Sequence, residues 1–255
     1  MDYSELKDSC VSWIRDWFDR NGKDCCAVLG MSGGKDSTVA AALCAEALGR
    51  ERVIGVAMPA EGQSLNDADE ICRWLGIRYL CVPIGKIISS VTASFEESLQ
   101  SVRNPLPAEE VILSRQAEQN IPPRVRMTVL YAVSQSLNGR VANTCNLSED
   151  WVGYATRWGD SVGDFSPLGK LVVQEIRGIG HSLGLPSKWV DKTPDDGLPH
   201  SCSDEQKFGF TYEVLDRYIR TGECDDVEIR EKIDRMHRRN RFKLFMPESF
   251  NPWKE

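Results

Sequence analysis

The sequence predicts an α/β fold, a doubly wound parallel sheet with flanking helices and a helical C-terminus. Between Leu6 and Asn146, short apolar runs bounded by glycine alternate with segments of helical periodicity. This alternation is typical of parallel strands joined by crossover helices. Apolar residues recur at helical spacing again near the end of the chain, which predicts the helical C-terminus. With 255 residues, the chain is long enough to bury a core without disulfides.

The first element is predicted to be an amphipathic helix within residues 1–21, ending near Asn21-Gly22. Its apolar residues at helical spacing are Leu6, Cys10, Trp13, Ile14, Trp17 and Phe18. The next segments read alternately as buried strands and as helices that end at glycine. The predicted strands span 25–31, 52–59 and 77–84, and the predicted helices span 38–48 and 66–75.

The second half continues the pattern with longer connections. We expect a helix from Ile87, a loop over 103–110, a helix from Val125 to Leu137, a fourth strand over 140–146 and a helix over 211–241. The glycine-rich stretch 153–169 follows the fourth strand, where ligands bind in α/β folds. We expect one domain, divided into an N-terminal helix (1–21), a nucleotide-binding core (22–185), a mobile loop (186–203) and a helical C-terminal segment (204–255).

Composition restricts the classes of function. The formal charge of −7 argues against sequence-independent binding of nucleic acid. The nine cysteines include no Cys-x-x-Cys pair, and we interpret them as structural residues of a reducing compartment. The first residues lack the features of a signal peptide, and no apolar run approaches the length of a membrane span. We therefore expect a cytoplasmic protein with no membrane or nucleic-acid partner.

The segment between the first strand and the following helix is the clearest candidate site. It reads Gly30-Met31-Ser32-Gly33-Gly34-Lys35-Asp36-Ser37. Glycines let a polyanion approach the backbone, and the amides of a helix N-terminus point at it. Hydroxyls and Lys35 add donors and charge, whereas Asp36 would repel phosphate unless a cation such as Mg²⁺ lies between them. Glu149, just past the fourth strand, is the second candidate ligand for that ion, and an acid at a helix N-terminus is the alternative reading of it.

The sequence Ser-Gly-Gly-x-Asp-Ser resembles the pyrophosphate loop of the ATP-pyrophosphatase superfamily, whose members adenylate a substrate oxygen. Later motifs are similar in order and spacing to those of ammonia-dependent NAD synthetase. They are Asn120 to Met127, Thr144 with Glu149, Gly153-Tyr154, Arg157, Gly159-Asp160, Asp164, Pro167-Leu168, Lys192-Thr193-Pro194, Ser203-Asp204-Glu205 and Phe242-Lys243. The resemblance implies a fold like that of the adenine-nucleotide alpha-hydrolases. It also implies amidation of deamido-NAD by ammonia through an acyl-adenylate, which releases AMP and pyrophosphate.

The resemblance also implies roles for single residues. Residues 30–37 and Thr144 would bind ATP, and Asp36 and Glu149 would hold Mg²⁺. Arg124, Arg157, Asp164 and Phe242-Lys243 would bind deamido-NAD, with Asp164 at the pyridine end, whereas Arg126 would be structural. Asp160 is our candidate for holding ammonium or removing its proton. With Asp36 and Glu149 it completes the predicted catalytic set, and we expect no glutaminase domain.

Two positions depart from the family pattern. Val173 stands where many members have lysine, and Asp195 stands where serine or threonine usually follows a proline. Both positions are associated with ATP phosphates in the family, and the chain's candidates for compensating charge are Lys170, Lys188 and Lys192.

The C-terminal segment carries a basic cluster in an acidic protein, formed by Arg235, Arg238, Arg239, Arg241 and Lys243. It is either a solvated helix face or a source of cations for the substrate. The family forms homodimers around the deamido-NAD site, so we expect a homodimer. The tryptophans of the first helix either contribute to its interface or are buried within the same subunit.

Two other functions fit parts of the sequence. One is a different ATP-pyrophosphatase that amidates or thiolates a nucleotide or tRNA. The other is a nucleotide-binding regulator with weak turnover.

Overall fold

The computed structural model describes residues 2–63, 66–99, 112–192 and 203–252. Its sheet has four parallel strands in the order β3-β2-β1-β4. The strands are β1 (Cys26–Gly30), β2 (Val53–Ala57), β3 (Arg78–Cys81) and β4 (Gly139–Val141). The predicted doubly wound parallel sheet is therefore confirmed, with each strand shorter than its apolar run.

Eleven α-helices occur in the described ranges. They are α1 (Tyr3–Asn21), α2 (Lys35–Leu48), α3 (Asn66–Leu75), α4 (Gly85–Leu99), α5 (Arg115–Ser136), α6 (Leu147–Val152), α7 (Val173–Ser182), α8 (Ser187–Val190), α9 (Asp204–Phe208), α10 (Tyr212–Thr221) and α11 (Val227–Asn240). Within those ranges, no helix is both long enough and apolar enough to cross a bilayer.

Three predicted boundaries are wrong. Helix α5 begins at Arg115 and contains both Pro122 and Pro123, whereas the sequence predicted a start at Val125. Its start is fixed by Ser114, whose side chain accepts a hydrogen bond from the amide of Ala117.

The helix predicted over 211–241 is two helices. Gly222, with φ of +76°, ends α10 in the left-handed conformation, and Asp226 caps α11 by accepting from two amides. The loop predicted over 186–203 begins with helix α8. Residues 193–202 and the loop predicted over 103–110 lie outside the described residues. The mobility of 186–203, the loop over 103–110 and the division of the chain into segments therefore stay predictions.

Apolar residues fill both faces of the sheet. On one face, α1, α2, α3 and α7 form the main core, which includes the fully buried Ile14, Phe18, Leu29 and Leu43. Trp13, predicted on the apolar side of α1, is 41% exposed. On the other face, α5 and the start of α4 cover Val28, Ile54 and Val56.

A separate group of apolar residues, here called the C-terminal cluster, joins α6 and α7 to α9, α10 and α11. Its buried members are Val152, Val173, Phe208, Phe210, Tyr212, Leu215 and Ile233. The cluster brings α6 against the last helices of the chain, beside the C-terminal ends of β1 and β4. Glycine is required at one contact, because a Cβ at Gly153, where φ is +72°, would lie 2.1 Å from Cβ of Asn240.

Candidate functional site

The loop from β1 to α2 is built to leave its backbone open. Gly33 has a φ of +80°, and a Cβ there would lie 2.8 Å from Cβ of Asp67, so the turn needs glycine. The hydroxyls of Ser32 and Ser37 are 3.2 Å apart. Ser32 also accepts from the amide of Gly34, and Ser37 donates to its carbonyl. The loop is therefore ordered by its own hydroxyls at the N-terminus of α2, where amides favour an anion.

A cavity of about 560 Å³ opens over this loop at the C-terminal ends of the strands. Ten of the predicted site residues line it: Gly30, Met31, Ser32, Gly34, Lys35, Asp36, Ser37, Thr144, Glu149 and Asp160. It is large enough for a nucleotide, and it lies where ligands bind in open α/β sheets. We call it the nucleotide cavity.

Two interacting carboxylates line this cavity. Asp36 comes from the first turn of α2 and Glu149 from the first turn of α6. Burial raises the pKa of Glu149 to about 8, and the nearby Asp36 carboxylate adds to the rise while Lys35 opposes it. A pair that repels in this way is suited to a divalent cation, because oxygen ligands are the ones Mg²⁺ prefers.

Asn146 links the pair, and sequence reasoning missed it. Its side chain is fully buried. Its amide nitrogen donates to Oδ1 of Asp36 at 3.3 Å, and its oxygen accepts from the amide of Glu149 at 3.0 Å. Asparagine three residues before glutamate is a helix N-terminal signature, so the sequence did contain a signal for it.

Arg126 is the second residue that sequence reasoning undervalued. Its guanidinium lines the nucleotide cavity, where it donates to the carbonyl of Met58 at 3.2 Å and to Oε1 of Gln63 at 3.0 Å. Arg124 lies on another side of α5, exposed, with Nε donating to the carbonyl of Arg157. The two arginines lie on different sides of α5, as expected, but Arg126, which was expected to be structural, lines the nucleotide cavity, whereas Arg124 does not.

Asp160 stands at the wall of the nucleotide cavity. One carboxylate oxygen accepts from the amide of Thr156 at 2.7 Å. Burial disfavours the charged form and raises the pKa of Asp160, although the hydrogen bonds from Thr156 oppose the rise. An acid held in this way can accept a hydrogen bond from a small cation or remove its proton.

None of the five residues predicted to bind deamido-NAD (Arg124, Arg157, Asp164, Phe242 and Lys243) lines the nucleotide cavity. Asp164 accepts from the amide of Val141 at 2.7 Å and from the hydroxyl of Tyr131 at 3.3 Å. It therefore caps the end of β4. Arg157 donates to the carbonyl of Phe245, and its guanidinium carbon lies 5.3 Å from the centre of the Phe242 ring.

A second cavity, of about 460 Å³, contains Phe242 and Lys243 together with part of the basic cluster. Nζ of Lys243 donates to the carbonyls of Gly153 and Ala155, so this lysine secures the segment that leads to Asp160. Arg235 and Arg239 line the same cavity with exposed side chains. We call it the basic cavity; its cations favour an anionic ligand.

The departures from the family pattern have different placements. Val173 is fully buried in the C-terminal cluster, and its amide donates to Oγ of Ser148. Asp195 lies outside the described residues. Of the three candidate lysines, Lys192 lines the nucleotide cavity and pairs with Asp67, whereas Lys188 pairs with Glu70. Lys170 is exposed away from the cavity lining.

Comparisons with known proteins agree with one another. A model of the NAD synthase family matches residues 6–247. A protein of Carboxydothermus hydrogenoformans named NH(3)-dependent NAD(+) synthetase is 34% identical over 250 residues, which cover 97% of this chain and 98% of that protein. A protein of the same name from Archaeoglobus fulgidus is 34% identical, with 97% and 96% covered.

Solved structures give the same picture. An NMN synthetase from Francisella tularensis superposes with a TM-score of 0.84 at 28% identity, covering 98% of this chain and 99% of that one. An NH3-dependent NAD synthetase from Campylobacter jejuni superposes with a TM-score of 0.74 at 27% identity, covering 98% and 100%.

Proposed function

Because this chain belongs to the NAD synthase family, we propose that it amidates deamido-NAD to NAD with ammonia at the expense of ATP. The observation that carries the proposal is the nucleotide cavity, in which the serine-glycine loop faces the carboxylates of Asp36 and Glu149. A loop that favours phosphate and a pair of acids that favours a cation are together suited to a triphosphate with its metal.

The chemistry explains why ATP is needed. A carboxylate resists attack by ammonia, since its charge is delocalised and its leaving group would be oxide. If the nicotinate carboxylate first attacks the α-phosphate of ATP, pyrophosphate leaves and an acyl-adenylate forms. Ammonia then displaces AMP. The amides and hydroxyls of Ser32 to Ser37 would stabilise the charge that grows on pyrophosphate as it leaves.

Asp36 and Glu149 fit a magnesium ion in part. In the described ranges, no three histidine, cysteine, aspartate or glutamate side chains converge on one point. Two carboxylates that repel each other are present, and the triphosphate would contribute the other oxygens. Bound Mg²⁺ would supply positive charge to the phosphates.

The second substrate would enter beside Asp160. Arg126, which lines the cavity next to Met58, can contact a phosphate or carboxylate there. Asp160 would hold ammonium and accept its proton, since only uncharged ammonia attacks the acyl-adenylate. The basic cavity, whose Lys243 contacts the carbonyls of Gly153 and Ala155, would receive the remaining anionic part of the substrate. On this basis we still propose that deamido-NAD contacts Arg157, Phe242 and Lys243. Asp164 would affect substrate binding indirectly, because it holds the end of β4.

The test is a product assay with ATP, MgCl₂, ammonium chloride and deamido-NAD. AMP, pyrophosphate and NAD should form in equal amounts, and only when all components are present. Formation of ADP, or no turnover, rejects the proposal. Glutamine that replaces ammonium equally well rejects ammonia as the nitrogen source.

A second candidate substrate is the nicotinate mononucleotide. The observation that favours it is the TM-score of 0.84 to an NMN synthetase, against 0.74 to an NH3-dependent NAD synthetase. The mononucleotide carries the same carboxylate and one phosphate but lacks the adenylate half. Comparing kcat/KM for the two nucleotides in the same assay decides between them, and a larger value for the mononucleotide assigns the chain to NMN synthesis.

We also propose a homodimer. Helix α4 buries none of its described side chains and exposes Ile87, Val91 and Phe95 at helical spacing, each by more than 40%. This apolar stripe is a better candidate for the subunit contact than α1, whose Phe18 and Ile14 are buried in the main core. Sedimentation of the wild-type protein and of a Val91→Glu variant tests it: loss of the dimer is expected in the variant. A cytoplasmic location is proposed as well.

A further inference from the structure

Lys35, the first residue of α2, carries a buried ammonium group. Its side chain is 2% exposed, and Nζ donates to Oδ2 of Asp36 at 2.8 Å. Nζ also lies 5.7 Å from the centre of the Tyr212 ring, which belongs to the C-terminal cluster. Lysine is rarely buried to this extent unless it is paired. The sequence suggested that Lys35 extends towards phosphate. In the structure its ammonium is instead bound to Asp36, a proposed metal ligand.

Acidic side chains surround the Lys35 ammonium. Asp36 accepts from Nζ at 2.8 Å, and the Glu149 carboxylate interacts favourably with the same charge. Asp216, buried below the site, interacts favourably with the same ammonium. Asp36 thus has a donor at each oxygen without any metal, Lys35 at one and Asn146 at the other.

We propose that Lys35 is a protein-borne cation that keeps Asp36 and Glu149 together without metal, so that magnesium enters the site with ATP and not before it. The inference rests on the proposed function, in which the two carboxylates hold the metal. Lys35 is a positioning residue, because it acts through Asp36. A resident positive charge offsets the repulsion between the carboxylates once Glu149 is ionised, and at the same time it repels a free dication.

The test measures how free Mg²⁺ stabilises the nucleotide-free, full-length protein. The melting temperature is recorded against MgCl₂ concentration at constant ionic strength, after treatment with EDTA. The variants are Lys35→Gln, which keeps a donor for Asp36 but loses the charge, and Lys35→Arg, which keeps the charge. The matched control is Lys192→Gln, which removes a positive charge from the wall of the same cavity where that charge pairs with Asp67.

We expect Lys35→Gln to lower the MgCl₂ concentration for half-maximal stabilisation by at least about fivefold, since an opposing charge is removed. Lys35→Arg and Lys192→Gln should stay within about twofold of wild type. An unchanged or higher half-maximal concentration in Lys35→Gln overturns the inference. If Lys35→Gln unfolds in EDTA, recovery on adding MgCl₂ gives the same measurement, and failure of MgCl₂ to restore folding overturns it.

This experiment separates the inference from the proposed function. If wild type amidates deamido-NAD and Lys35→Gln responds to MgCl₂ as wild type does, only the role of Lys35 is lost. If wild type forms no AMP and the melting temperature of neither wild type nor Lys35→Gln changes with MgCl₂, the proposed metal site and the role of Lys35 are both lost.

Discussion

Replacing Glu149 with glutamine should stabilise the metal-free protein at alkaline pH while abolishing turnover. The pKa of Glu149 is about 8 in the folded protein, because of burial and of the neighbouring Asp36, against 4.5 for an unperturbed glutamate. The folded pKa is raised, so the unfolded chain loses this proton first as pH increases. Stability is therefore greatest at low pH and is lost as pH rises towards about 8. Glutamine does not ionise, so the variant avoids this loss.

The magnitude follows from the pH range. Where Glu149 is ionised in the unfolded state but protonated in the folded state, each unit of pH lowers the free energy of unfolding by about 1.4 kcal/mol. Between pH 6 and a pKa of about 8 there are two such units, which allows a loss of about 3 kcal/mol. The folded protein itself begins to lose this proton near its pKa, so we expect the advantage of Glu149→Gln over wild type to grow by about 2.5 kcal/mol from pH 6 to pH 8.5.

Urea unfolding in EDTA, at both pH values and at one protein concentration, gives this difference. Glu213→Gln is the matched control, since it removes the same charge from an exposed position on α10. It should leave the free energy of unfolding within about 0.5 kcal/mol of wild type at both pH values. An advantage of Glu149→Gln that is equal at the two pH values, or that is larger at pH 6, refutes the reasoning.

Three further predictions concern Asp36, Asn146 and Gly153. Asp36→Asn should lower kcat at least about 100-fold while the circular dichroism spectrum stays unchanged, because it removes a proposed metal ligand but no contact of the core. Turnover within about twofold of wild type contradicts the proposed site. Asn146→Ala should cost about 2 kcal/mol in urea unfolding, since it removes a helix cap and leaves Asp36 short of a donor; no loss would mean that another group replaces both bonds. Gly153→Ala should lower the free energy of unfolding by more than about 2 kcal/mol, because the new Cβ would clash with Asn240. The control Gly222→Ala has the same left-handed backbone but nothing within 4 Å of the new Cβ, so it should cost about 1 kcal/mol. Equal losses in the two variants would show that the backbone conformation alone causes the destabilisation.

Local signals made the first half of the fold predictable. The strands around Gly30 and the helix stop at Gly49 depend on residues adjacent in the sequence, so periodicity and glycine positions were sufficient. The break at Gly222 was also marked, by glycine and by Asp226 as the following cap, but the apolar period continues across it. The two prolines in α5 gave the opposite error, since they suggested a boundary inside a helix that Ser114 starts.

The site was predictable only in part, because contacts between distant segments cannot be read from spacing. The serine-glycine loop and Glu149 were found from their position after strands. The direction of the Lys35 side chain could not be predicted from the sequence, because it depends on Tyr212, which belongs to the distant C-terminal cluster. Arg126 reaches the cavity because α5 covers that face of the sheet, a packing fact that its sequence neighbours do not encode.

The two acids of the site belong to different packing groups of the molecule. Asp36 stands on α2, which is part of the main core, whereas Glu149 stands on α6, which packs in the C-terminal cluster. A ligand bound by both Asp36 and Glu149 would therefore connect the main core to the C-terminal cluster. Occupancy of the site should then be transmitted to amides far from it, around Ile233 in α11, as slower exchange with deuterium.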